Sequence, residues 1–144
     1  MSKRTSIVKA LAEKLKTIDG TGIRRTSISG NAYPFMRFWD EVNDFPCIYM
    51  TNGTELREYH PGNFTWGFLN VSLKVFTKGE DSSLMLEDVL ADIEDVVGEN
   101  YRLVYDSTGD TTAEMLIQSI TTDEGLLAPY AIGEINLQIR YVVT

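Results

Sequence analysis

Three carboxylates, Asp88, Asp92 and Asp95, recur at i, i+4 and i+7 along a stretch with helical periodicity, close enough to share a hard cation such as magnesium. A row of that kind would suit a metal-dependent nuclease. The same spacing has a plainer origin. With Glu87 and Glu94, these acids lie opposite an apolar arc, where a solvated helix face belongs. A loose row also lacks the defined oxygen cage that a cation needs. The sequence therefore predicts a solvated face and no metal or other cofactor.

General-base chemistry near neutral pH would have to pass through His60, the one imidazole in the chain. Its neighbours in Tyr59-His60-Pro61-Gly62 are turn residues. The one thiol, Cys47, opens a strand with no nucleophile elbow. No Gly-x-Ser-x-Gly, Gly-x-x-x-x-Gly-Lys or Gly-x-Gly-x-x-Gly run occurs. One histidine and one cysteine cannot form a zinc site of the usual kind or an intramolecular disulfide, and a reducing compartment is expected. No catalytic residue is assigned, and the chain is not expected to be an enzyme.

Arg24-Arg25 is the basic doublet of an irregular segment that also holds Tyr33, Phe35, Phe38 and Trp39. Arginine and aromatics can grip a nucleic-acid strand by charge and stacking. They are equally the residues that protein interfaces concentrate at their centres. Charge decides between these readings. With 21 acids against 13 Lys and Arg the chain carries −8, and such a surface repels phosphate. Arg24, Arg25, Phe35, Phe38 and Trp39 are thus candidates for a subunit or partner interface, on an arm that contacts a neighbour. Stable nucleic-acid binding is not expected.

The elements that position these residues can be read from periodicity. Ile7, Val8, Leu11, Ala12, Leu15 and Ile18 gather on one side of a helical wheel, with Lys9, Glu13, Lys14 and Lys16 opposite. Thr5 or Ser6 can cap this helix, and Asp19-Gly20 can stop it. From Ile23 to Asp44 the period breaks, giving a long loop with at most a helical turn after Pro34. Cys47 to Met50 reads as a strand, Asn52-Gly53 as a hairpin turn, and Thr54 to Tyr59 as the returning strand. Trp66 to Phe76 alternates as a central strand should.

Asp81, Ser82 or Ser83 caps a second helix, ended by Gly98, whose apolar arc is Leu86, Val89, Leu90, Ile93, Val96 and Val97. Strands follow at Ala113 to Thr121 and Glu134 to Val143, joined through Gly125, Pro129 and Gly133. This order predicts an α+β fold, an antiparallel or mixed sheet of four to five strands with two helices packed on one face. Its 144 residues, 43% hydrophobic and 24% charged, fit one domain spanning 1–144. The opening stretch mixes Lys and Glu with apolar residues, so neither a signal peptide nor a membrane span is expected there.

Taken in order, several features resemble the tail terminator, or tail completion, proteins of long-tailed phages. They are Trp39-Asp40-Glu41-Val42-Asn43-Asp44-Phe45-Pro46 before a strand, Gly53-Thr54-Glu55, and the long strand from Trp66 to Phe76. Leu90-Ala91-Asp92-Ile93-Glu94 in a helix comes next, then Ile120-Thr121-Thr122-Asp123-Glu124-Gly125 with Pro129, and Gly133-Glu134-Ile135 leading to Tyr141. The 23–44 loop is longer than a minimal member needs. The resemblance implies a six-fold ring that docks on the tail tube, ends tube polymerisation and offers a surface to the head connector. It also implies a sheath partner if the tail is contractile, DNA passing through the ring without being held, and a place at the tail-neck junction of virions assembled in the host cytoplasm. The alternative in the same class is a head-completion or stopper protein of the neck. The family brings no catalytic residues.

Overall fold

The computed structural model describes residues 1–144, apart from the side chain of Trp39. The first helix, α1 (Lys3–Leu15), begins earlier than the periodicity predicts, because Ser2 rather than Thr5 or Ser6 accepts the free amide of Thr5 at 3.1 Å. It buries Ile7, Val8, Leu11, Ala12 and Leu15. Asp19 then accepts from the Thr21 amide and hydroxyl, and Gly20 turns the chain at φ +81°.

The 23–44 segment is far from a free arm. Ile28, Ala32 and Val42 are buried, Ala32–Tyr33 forms a two-residue strand β1, and Trp39–Glu41 makes one 3-10 turn. β1 runs parallel to the start of β2 (Cys47–His60), pairing Ala32 with Ile48.

The hairpin departs from expectation at its turn. β2 continues through Asn52-Gly53 to His60, and the chain reverses at Pro61-Gly62-Asn63 into β3 (Phe64–Lys78). Gly62 and Asn63 carry the positive φ values, +82° and +59°, that a tight reversal needs. Asn52-Gly53 instead marks a register shift between Asn52 and Glu55, a bulge that re-aims the strand.

α2 (Ser82–Glu99) passes through Gly98 before it ends, and Asp81 at its start makes no side-chain capping bond. β4 (Glu114–Thr122) and β5 (Tyr130–Val142) complete a five-stranded sheet in the order β1-β2-β3-β5-β4, antiparallel except for β1 with β2. The fold is α+β with a mixed sheet.

Alternation decides what each sheet face carries. Leu69, Val71, Leu73 and Val75 of β3 and Ile135, Leu137 and Ile139 of β5 meet α1 and α2 in the main core. Gly133 lets α2 approach, since a Cβ there would lie 3.1 Å from Leu86 and 3.3 Å from Leu90. On the opposite face, a smaller cluster of Val42, Cys47, Tyr49 and Phe76 is covered by Tyr33, Met36 and Phe45 from the 33–45 segment.

Candidate functional site

The acidic row on α2 is divided by its surroundings. Asp92 is fully buried, which corrects the expectation that it shares a solvated face. One oxygen accepts from the Arg25 amide at 2.9 Å and its guanidinium at 3.1 Å. The other accepts from the Thr26 amide at 2.8 Å and its hydroxyl at 2.7 Å. Burial pushes the carboxyl up, but these donors outweigh it and hold Asp92 below its ordinary value. The wheel missed this because it counts an acid as solvent-facing whenever it lies off the apolar arc. Asp92 sits at the arc's border, where a loop can cover it.

Asp95 takes the same guanidinium at 2.9 Å, while Asp88 is exposed. Among the described residues, no group of three or more His, Cys, Asp or Glu is arranged to hold a metal ion. The carboxylates thus anchor the 24–26 segment to α2.

Of the interface candidates, the two arginines pair with acids of α2, Arg24 largely covered and Arg25 half exposed. Arg24 forms a two-point pair with Glu99, at 2.7 and 3.3 Å, and Arg25 bridges Asp92 and Asp95. Phe38 is 77% exposed and Phe35 45%, and Arg37 lies 5.7 Å over the Phe35 ring. Phe35, Met36 and Phe38 line an open groove with Phe76 and Ile132 of the sheet. The side chain of Trp39 lies outside the described residues.

Cys47 and His60 occupy the two ends of the 14-residue β2, roughly 40 Å apart for an extended strand. They cannot act together within one chain. Burial and the nearby Asp44 carboxylate push the Cys47 thiol up to about 12, which keeps it protonated and inert. His60 Nε2 meets exposed Glu58 at 2.6 Å beside the turn.

Sequence reasoning did not find a polar knot at the bulge. There Glu55, with its side chain 5% exposed, accepts the Tyr141 hydroxyl at 2.6 Å and the Arg57 Nε at 2.5 Å. Arg4 of α1 donates to the Gly53 carbonyl at 2.8 Å and stands 3.8 Å from Glu55. The sequence signal available was Gly67, placed under the Tyr141 ring, where a Cβ would come within 2.8 Å of that ring.

Four surfaces remain without cover among the described residues. β4 has no strand on its outer side, and β2 has none beyond Tyr49. On the open face, Trp66 lies under the Arg140 guanidinium at 4.6 Å with Phe64 edge-on at 5.0 Å. Leu126 at 83% and Leu127 at 46% exposure project from the β4–β5 loop. Unpaired edges and exposed aromatic and apolar residues are the materials of protein contacts. No helix is long and apolar enough to cross a membrane among the described residues.

Comparison with known proteins gives a consistent result. A family model described as Bacteriophage Tail Tube Terminator Protein matches residues 1–144. The chain is 34% identical over 152 residues to the tail tube terminator protein p142 of Escherichia phage T5, covering 98% of this chain and 94% of that protein. Its fold is similar to a chain in the virion of a native gene transfer agent particle, with a TM-score of 0.60 at 12% identity over 94% of both chains.

Proposed function

Because this chain belongs to the bacteriophage tail tube terminator family, we propose that it closes into a six-membered ring on the end of the tail tube, stops addition of tube subunits and presents a surface to the head connector. The observation that carries this reading is the family match along the whole chain, joined to 34% identity with a tail tube terminator over nearly all of both proteins.

The physical features suit the task. A ring of identical chains needs two different patches that meet head to tail, and the two edge strands and the open face supply unlike surfaces at opposite sides of the sheet. The net charge of −8 suits a passage through which DNA slides without adhering. The carboxylate that invited a catalytic reading is consumed in holding the chain's own 24–26 segment. The protein works in this reading through surface complementarity, at the tail-neck junction, with a sheath as a further partner if the tail contracts.

The test is assembly of tube subunits in vitro with and without the purified chain, imaged for length and for what sits at the tip. Tubes should stop growing and carry a ring-shaped cap. Unchanged growth, or infectious particles with tubes of normal length when the protein is deleted, would refute the proposal. Cleavage of DNA by the purified chain with magnesium would refute its non-enzymatic part.

A further inference from the structure

The net charge conceals an opposition between the two helices. α1 packs over β1 and β2 while α2 packs over β3, β5 and β4, so the strand order sets the helices at opposite flanks of one sheet face. The exposed charges of α1 and its cap are Lys9, Lys14 and Lys16 against Glu13. Those of α2 are Glu87, Asp88, Glu94 and Glu99, and no Lys or Arg lies in that helix.

Each helix also has a used and an unused side. On α2 the side carrying Asp92, Asp95 and Glu99 is occupied by Arg24, Arg25 and Thr26. Glu87 and Glu94, seven residues apart, share the other side, are exposed and have no ion-pair partner among the described residues. On α1, Lys3 reaches back to the carbonyls of Val142 and Val143, which identifies the side turned toward β5. At 100° per residue, Lys9 and Lys16, also seven apart, start from the exposed half of α1 away from Lys3, with Lys9 bordering an open groove whose far wall is Val104–Ser107. Lys16 holds only exposed Glu13, at 2.8 Å, a pair that exchanges readily.

We propose that the outer flank of α1 of one copy docks against the outer flank of α2 of the next, with Lys9 facing Glu94 and Lys16 facing Glu87. The geometry permits both pairs at once. α1 starts beside the end of β5 and α2 starts beside the end of β3, so the helices run in opposite directions. A copy placed head to tail about an axis along the strands keeps that opposition, and both charge pairs repeat at about 10.5 Å. Ile120, 41% exposed on the helix side of β4 beyond α2, adds an apolar contact at the same flank. A two-fold contact through either flank would set lysine against lysine or glutamate against glutamate. The arrangement therefore selects the head-to-tail interface that closes rings.

This inference rests on the ring reading, and its test separates the two. Wild-type chain, K9E/K16E, E87K/E94K and the fourfold K9E/K16E/E87K/E94K are compared by sedimentation at low and high salt, alone and with tube subunits. Equal mixtures of ¹⁴N and ¹⁵N wild-type chains are linked by carbodiimide, which joins lysine to carboxylate at zero length. The expected results are mixed-isotope links between Lys9 or Lys16 and Glu87 or Glu94, about tenfold weaker association for either double variant, and recovery in the fourfold variant. Rings that form equally in all four chains overturn the interface but keep the ring. Chains that remain monomeric in every condition, without mixed links, overturn both. Variants that self-assemble normally yet fail on tube subunits assign the flank to the tube protein and overturn the proposal.

Discussion

Asp92→Asn isolates what a buried carboxylate contributes when two of its four donors are backbone amides. The substitution keeps shape and volume but replaces one acceptor oxygen by a donor. If the nitrogen faces Thr26, its amide and hydroxyl lose their acceptor, and if it faces Arg25, the guanidinium loses one. Hydrogen bonds to a charged group are worth about 1.5–3 kcal/mol each, and a stranded buried donor costs about 1–3 kcal/mol. Arg25 itself is half exposed and keeps Asp95, so its share is discounted for solvent. The expected loss is about 3 kcal/mol, a fall in Tm of roughly 6–12 °C for a chain of this size. Asp88→Asn, one turn earlier and exposed, should stay within about 0.5 kcal/mol.

Urea unfolding followed by tryptophan fluorescence measures both variants, and a pH series supplies the second arm. The folded Asp92 carboxyl titrates below its ordinary 3.8, so the unfolded chain takes up the proton first. The stability this group confers is complete above pH 3.8 and is lost as pH falls through the lower folded value. In Asp92→Asn that part of the acid limb should flatten. Equal urea midpoints for the Asp88 and Asp92 variants, or unchanged acid limbs, would refute the account of the 24–26 anchor.

The position of the hairpin turn is checked by two glycines. Gly62→Ala, at φ +82°, should cost about 1 kcal/mol or more, whereas Gly53→Ala, with 3.5 Å to its nearest neighbour and no positive φ, should cost less; the reverse order would restore the turn to Asn52-Gly53. Tyr141→Phe should lose about 1–3 kcal/mol by leaving Glu55 one donor short. In the native chain, burial first and Glu55 second raise the Tyr141 phenol, so ultraviolet titration should show it still protonated well above pH 10.0, with stability declining as pH rises beyond that value. Cys47 should resist aromatic disulfide reagents in the native state and react at the rate of unfolding; prompt labelling at pH 8 would contradict its burial.

How much of this was legible depends on range. The apolar arcs of α1 and α2 and the alternation of Trp66 to Phe76 are local signals enforced by one core, and the structure keeps them. The termini moved where two local signals competed. Ser2 captured the cap ahead of Thr5 and Ser6, and Pro61-Gly62 outcompeted Asn52-Gly53 because β3 offers β2 a partner across the bulge. The 23–44 segment read as a loop because its anchors are singular and distant. Ile28 and Ala32 enter the main core as isolated residues, Tyr33 donates to Asp44, and Arg24 and Arg25 reach acids almost seventy residues away or more. No periodicity encodes such contacts.

The same distance dependence bears on how an interface can be recognised. Arg24 and Arg25 have the residue type that partner surfaces favour, yet their charge is spent inside the chain on Glu99, Asp92 and Asp95. Only after those pairs are placed does the remainder become visible, because an acid already matched within the fold has little attraction left for a neighbour. Glu87 and Glu94 are such a remainder on α2, and Lys9 with Lys16 is its counterpart on α1, where among the described residues the one ion pair they make is the exposed bond from Lys16 to Glu13. Composition, which counts 21 acids against 13 bases without regard to position, reports repulsion between copies. The subtraction of internal pairs reports attraction along one direction, and a directed attraction between unlike flanks is what a ring of identical chains requires.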